Sequence, residues 1–152
     1  MDWFLKLLTN PFLIAGVSAW FVAQVIKTVL YAIMNKKLDF SRMYGDGGMP
    51  SGHSATVTAL ATMSALHYGL ESFPFAVSFI LAIIVTHDAT GVRRETGKQT
   101  MMINELVKAF EVFSSQDLPE VKLKEFVGHT PVQVIAGILV GFADALLIYW
   151  IF

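Results

Sequence analysis

Cysteine is absent from this 152-residue chain. That excludes a disulfide framework, a thiolate nucleophile and any Cys-ligated metal. Charge is scarce as well, at 15% of residues against about 25% in an ordinary soluble domain. The 11 Lys and Arg nearly balance the 12 Asp and Glu, for a net charge of −1. A nucleic-acid-binding surface needs a basic excess, and disorder needs high net charge with low hydrophobicity; neither is present. Apolar residues are abundant instead, at 55% with 12 Phe. The composition points to an integral membrane protein, and the length to a single domain spanning residues 1–152.

Four apolar runs carry that reading. Pro11 to Met34 is interrupted only by Gln24 and Lys27 among its strongly polar positions; at ~1.5 Å per residue it reaches ~36 Å, enough to cross a ~30 Å hydrocarbon core. Ala55 to Leu70 is weaker and rich in Ala, Thr and Ser. Pro74 to Val85 ends in Thr86-His87-Asp88, and Pro131 to Phe152 contains one acid, Asp144, expected near the outer interface. The middle two runs are short, and either flanking residues lengthen them into spans or they form a buried helix pair. The expected fold is all-α, a polytopic helical bundle with about four transmembrane helices.

Interfacial helices complete it. Met1–Asn10 lacks the basic start, long apolar stretch and cleavage site of a signal peptide and reads as a short interfacial helix. Leu106, Val107, Phe110 and Phe113 recur at helical spacing between charged residues, the pattern of an amphipathic helix. Ser114 to Pro119 reads as a loop, and Pro119 to Val127 as a short helix.

Lys and Arg set the orientation. Lys36, Lys37 and Arg42 follow the first run; Arg93, Arg94, Lys98, Lys108, Lys122 and Lys124 follow the third. The opposite side has only Lys6. Because Lys/Arg-rich short loops stay cytoplasmic, both termini should lie outside and the basic loops inside a cell membrane.

The chemistry-bearing residues fall on that inner side. Gly47-Gly48-Met49-Pro50-Ser51-Gly52-His53-Ser54 allows tight turns and opens a helix of small residues. A helix start offers unpaired N–H groups to an anion, with Ser51, Gly52, His53 and Ser54 at that point; the plainer reading is a turn with a Ser cap. Asp88 to Gln99 brings Arg93, Arg94 and Lys98, suited to phosphate as well as to simple membrane anchoring, with Asp88 placed to orient an Arg or His. His129 precedes Thr130-Pro131, a cap and first-turn pair. Lys27, inside the first span, either snorkels or faces a polar cavity; Gln24, one turn earlier on the same face, favours the cavity. Two His, several cations and a helix N-terminus suit phosphoryl transfer through a phosphohistidine, with no metal or other cofactor required.

These residues give the chain a resemblance to the divergent branch of the type 2 phosphatidic acid phosphatase superfamily, related to vanadium haloperoxidases. It rests on Gln24 and Lys27, the segment 47–54, Asp-Ala-Thr-Gly-Val-Arg-Arg at 88–94, Gly-Lys-Gln at 97–99 and Gly-His-Thr-Pro at 128–131. The resemblance implies a helical membrane phosphatase acting on lipid phosphates without a metal, with His53 as general acid and His129 as nucleophile. Some positions depart from the wider superfamily. Lys36 and Arg42 stand one residue closer than in its first motif and no Pro follows. No Arg lies between Lys98 and His129, and Gln133 stands where an Asp orients the imidazole, leaving Gln133 or, through space, Asp88 for that role. The expected function is a lipid phosphate or diphosphate phosphatase at the cytoplasmic face. The alternative is a non-catalytic membrane protein that binds or transports a phosphorylated lipid.

Overall fold

The computed structural model describes residues 2–45, 47–114 and 128–152, without the side chains of Arg42 and of 111–114. The expected loop at 114–119 and the helix at 119–127 therefore lie almost wholly outside the described residues. Among the described residues six α-helices follow in order: α1 (Asp2–Leu8), α2 (Pro11–Asn35), α3 (Gly52–Tyr68), α4 (Phe73–Thr90), α5 (Val92–Ser114) and α6 (Pro131–Ile151), with a 3₁₀ turn at Phe40–Met43.

Local chemistry sets most of the boundaries. Asn10 caps α2 by accepting from the N–H groups of Phe12 and Leu13, with Pro11 in the first turn. Ser51 and Ser72 cap α3 and α4. Thr130 and Gln133 form a reciprocal capping box at the start of α6, again beside a first-turn proline. Each side chain satisfies an N–H that the helix cannot pair internally.

Among the described residues three helical stretches are long and apolar enough to cross a membrane: Pro11–Asn35, Phe73–Phe110 (which runs from α4 into α5) and Pro131–Ile151. The apolar run at 74–85 is thus extended through Thr90, and α5 starts directly after Gly91, earlier than the expected amphipathic segment. The fourth expected span, α3, has 17 residues, about 25 Å of helix. It is the central helix, packed by α2, α4 and α6. Its low hydropathy follows from that position, because it faces protein on most sides rather than lipid.

The packing is by small side chains. Ala15, Ala19, Ala23, Ala55, Ala59 and Ala145 are fully buried together with Met63, while Leu13, Val17, Phe21, Val25 and Val29 point outward from α2. Lipid tails are as apolar as leucine, so burying large side chains gains little; helices in a bilayer associate through close backbone approach. Gly137 and Gly141 on α6 show this most directly. A Cβ at Gly137 would strike the Ser51 carbonyl, and one at Gly141 the Ala55 carbonyl. These contacts also fix the level of α3. Ser51 at its N-cap and Ser54 in its first turn lie beside Gly137, so the α3 N-terminus sits below the start of α6.

Asp144 lies in the C-terminal half of α6, away from the α3 N-terminus, and is buried within the bundle. It is 9% exposed, and Ser18 Oγ donates to its Oδ2 at 2.6 Å, tying α6 to α2. α1 is exposed along its whole length, Trp3 and Leu5 included, as an interfacial helix requires.

Close approach of α6 and α3 predicts a sharp asymmetry between neighbouring positions. Gly141→Leu should cost about 1–3 kcal/mol or more by overpacking, read as a lowered unfolding midpoint of the purified protein in detergent. Ala143→Leu, on the exposed face, should stay within about 0.5 kcal/mol of wild type. Equal shifts would contradict this packing.

Candidate functional site

Lys27 is the pivot of the site. It is 5% exposed although it sits inside a span, a costly position for a charge unless a polar cavity receives it. Its Nζ donates to the Gly45 carbonyl at 3.3 Å, and its stem lies along Gly48. Gly48 has φ +87°, and a Cβ there would come within 3.2 Å of Lys27 Cγ. The glycines of the 47–54 segment thus let the loop close over the lysine.

Lys27 faces a cavity of about 170 Å³ lined by Trp20, Gln24, Lys27, Tyr44, Gly45, Gly47, Gly52, His53 and His129. The volume is below the ~300 Å³ at which drug-sized pockets begin and suits a group the size of a phosphoryl. His53 is half-buried and His129 buried. Their ring centroids are 5.9 Å apart with planes at 76°. Gln24 is 5% exposed, and its Oε1 has no hydrogen-bond partner among the described residues. An amide can be turned end for end, so in either sense it presents one unsatisfied polar atom to whatever fills the cavity. The first residues of α3, Gly52 and His53, form part of the wall. At this end a helix leaves N–H groups outside its own ladder and carries a partial positive charge.

Backbone contacts place His129. Its N–H donates to the Ala89 carbonyl at 2.9 Å, and the preceding Gly128, at φ +93°, packs so tightly that a Cβ would collide with the backbone of Arg93 and Arg94. Across the site, the Ser51 N–H donates to the Gln133 carbonyl at 2.9 Å. The start of α6 is therefore bonded to the end of α4 and to the start of α3. That is how two histidines 76 positions apart in the chain come to share one wall.

Several expected site residues take other places. Ser51 and Ser54 are fully buried, but Ser51 Oγ accepts from the Ser54 N–H and from Ser54 Oγ, so both hydroxyls serve the α3 cap. Gln133 Oε1 accepts from the Thr130 N–H at 3.0 Å; its amide caps α6. Asp88 Oδ2 accepts from Arg93 Nε at 2.6 Å, with both side chains nearly half exposed. Lys98 pairs with Glu95 in an exposed bridge. Asp88, Arg93, Arg94 and Lys98 are not among the cavity-lining residues. The structure brings Gln24, Lys27, Gly52, His53 and His129 together and leaves the others around them.

Three lining residues, Trp20, Tyr44 and Gly45, lie outside the expected set. Trp20 was detectable, since Trp20, Gln24 and Lys27 stand at the i, i+4, i+7 spacing of one helix face. Tyr44, 83% exposed at the rim, lies in a turn where no periodicity marks it. Among the described residues no group of three His, Cys, Asp or Glu side chains is placed to hold a metal ion.

Comparison with known proteins gives the family. The model of the divergent PAP2 family matches residues 8–144, which takes in every residue of the cavity. The chain is similar to a protein of Bacillus subtilis (strain 168) named uncharacterized membrane protein YuiD, with 45% identity over 157 residues covering 97% of this chain and 99% of that one. No solved structure matches. With nine-tenths of its length matched, the chain belongs to the divergent PAP2 family of membrane proteins.

Proposed function

We propose that this protein is a lipid phosphate or diphosphate phosphatase that works through a phosphohistidine at the cytoplasmic face of the membrane. The observation that carries the reading is the pairing of His53 and His129 on the wall of a phosphoryl-sized cavity that also holds the buried Lys27. A His129 nitrogen attacks phosphorus. The ester P–O bond breaks, and protonated His53 delivers its proton to the departing oxygen. Lys27 and the first-turn N–H groups of α3 stabilise the non-bridging oxygens as charge builds on them. Neutral His53 then takes a proton from water, whose oxygen displaces His129 and releases inorganic phosphate.

The remaining predicted residues have supporting roles. Gln133 and Thr130 hold the α6 start on which His129 stands. Arg93, Arg94 and Lys98, outside the lining, serve the headgroup layer, where basic side chains favour an anionic leaflet. A second reading, binding of a phosphorylated lipid without turnover, has one observation on its side. The Gln133 amide is held in the α6 cap by Thr130, and Gln133 stands where the wider superfamily carries an Asp.

Two substrates separate these roles. His129→Ala should abolish turnover of both a lipid phosphate and p-nitrophenyl phosphate. His53→Ala should lose about 10²–10⁴-fold on the lipid, the usual contribution of general acid catalysis, while retaining much of its rate on p-nitrophenyl phosphate, whose leaving group needs no proton. The opposite pattern would exchange the roles, and a folded wild type inactive on both would support binding alone.

Orientation is checked with single cysteines, since the native chain has none. Glu71→Cys, exposed between α3 and α4, should react with an impermeant maleimide on intact cells, and Lys108→Cys only after permeabilisation. The reverse would place the cavity at the outer face.

A further inference from the structure

We propose that the groove between α2 and α3 is the subsite for one hydrocarbon chain of the lipid, and that Trp20 forms the threshold between it and the phosphate cavity. The proposal rests on the phosphate-site reading above and deepens it, by stating where the apolar part of the substrate lies.

Among the described residues three cavities share Trp20, and two of them also carry residues of α3. Trp20 belongs to the polar cavity with Gln24, Lys27 and the two histidines. It also belongs to an apolar groove of about 310 Å³ whose walls are Phe12, Gly16, Val17 and Trp20 on α2 with Thr56 and Leu60 on α3. Gly52 makes the junction possible, because a Cβ there would sit 3.1 Å from Trp20 Cδ1. The indole edge, Cδ1 and Nε1, thus lies against the first turn of α3.

Direction supports a tail rather than a second headgroup. From Trp20 to Phe12 the groove descends eight residues of α2, ~12 Å, away from the polar cavity and toward the opposite membrane face. A lipid whose phosphate sits in the cavity sends its tail that way. The side chains along the path offer no charge, and Thr56 donates its hydroxyl to the Gly52 carbonyl at 2.9 Å, leaving an apolar wall. Val17 is 66% exposed and Leu13 45%, so the groove is open sideways, and a lipid can slide in from the bilayer without leaving it.

A second apolar groove, about 420 Å³ between α3, α4 and α6, is the competing place for a chain. It shares no lining residue with the phosphate cavity, and its α3 residues Thr58, Thr62 and Ala65 project from a different side of the helix than His53. A third apolar hollow, about 560 Å³ on α1 and α2, also touches Trp20 but has no α3 residue in its lining. Continuity with the site through Trp20 and along α3 from Gly52 and His53 to Thr56 decides for the groove between α2 and α3.

Photolabelling of the wild-type protein in lipid nanodiscs tests this without any variant that could misfold. The probe is a lipid phosphate bearing a diazirine at the end of one medium-length chain; its control is the same lipid with a free hydroxyl in place of the phosphate. We expect phosphate-dependent labelling of peptides covering residues 12–20 and 56–60, suppressed by vanadate in the cavity. Vanadate-sensitive labelling that falls instead on residues 75–86 and 138–146 would overturn the groove assignment while leaving the phosphate site standing. Labelling that is identical for the two probes and indifferent to vanadate would overturn the phosphate site and the groove assignment with it.

Discussion

Close approach of backbones around α3 is the constraint on which the rest of the structure depends. Large side chains cannot drive helix association in lipid, so α3 is gripped by alanines of α2 on one side and by Gly137 and Gly141 of α6 on another. The grip sets the height of α3. Its N-terminus stops short of the neighbouring helix ends, and the recess so created is floored by a helix dipole and walled by longer helices. A polar cavity within a membrane protein needs such a protected place, because irregular backbone at membrane depth is tolerated only where protein or a water-filled space covers it. The segment 47–51 is that irregular backbone, and it closes on Lys27.

Buried polar groups in the bundle follow the same economy. Asp144 is met by Ser18, which joins α6 to α2 near the other end of the bundle. Thr28 and Thr56 return their hydroxyls to carbonyls one turn back on their own helices. Ser51 and Ser54 consume theirs in the cap. Against that background the Gln24 Oε1 stands out, buried in the cavity wall with no partner among the described residues. A group that costs stability when left dry is well placed to meet a ligand that arrives with its own hydrogens or water.

Much of this was legible in the sequence, and the reasons are particular. The caps at Asn10, Ser51 and Thr130 with Pro11 and Pro131 fix helix starts by local chemistry alone. Lys27 was informative because a charge in a span is expensive wherever it sits. The two histidines were identified by their helix starts and by the family pattern. What the sequence could not provide was the fate of side chains with several acceptable partners. Arg93 is equally able to grip a phosphate or a carboxylate, and Asp88 is five residues away. Gln133 can orient an imidazole or close a capping box, and Thr130 was nearer. The sequence also hid the difference between α3 and the other spans, since a weak apolar run reads alike whether it faces lipid thinly or protein closely.

The central claim is that phosphorus passes through His129, and the covalent intermediate tests it most directly. Purified protein mixed with a lipid phosphate carrying radioactive phosphorus, and quenched in alkali during turnover, should retain label on the peptide containing His129. The linkage should be stable to base and labile to acid, as a phosphoramidate is, and His129→Ala should carry none. Label on a peptide without His129, or turnover with no acid-labile label, would contradict the account.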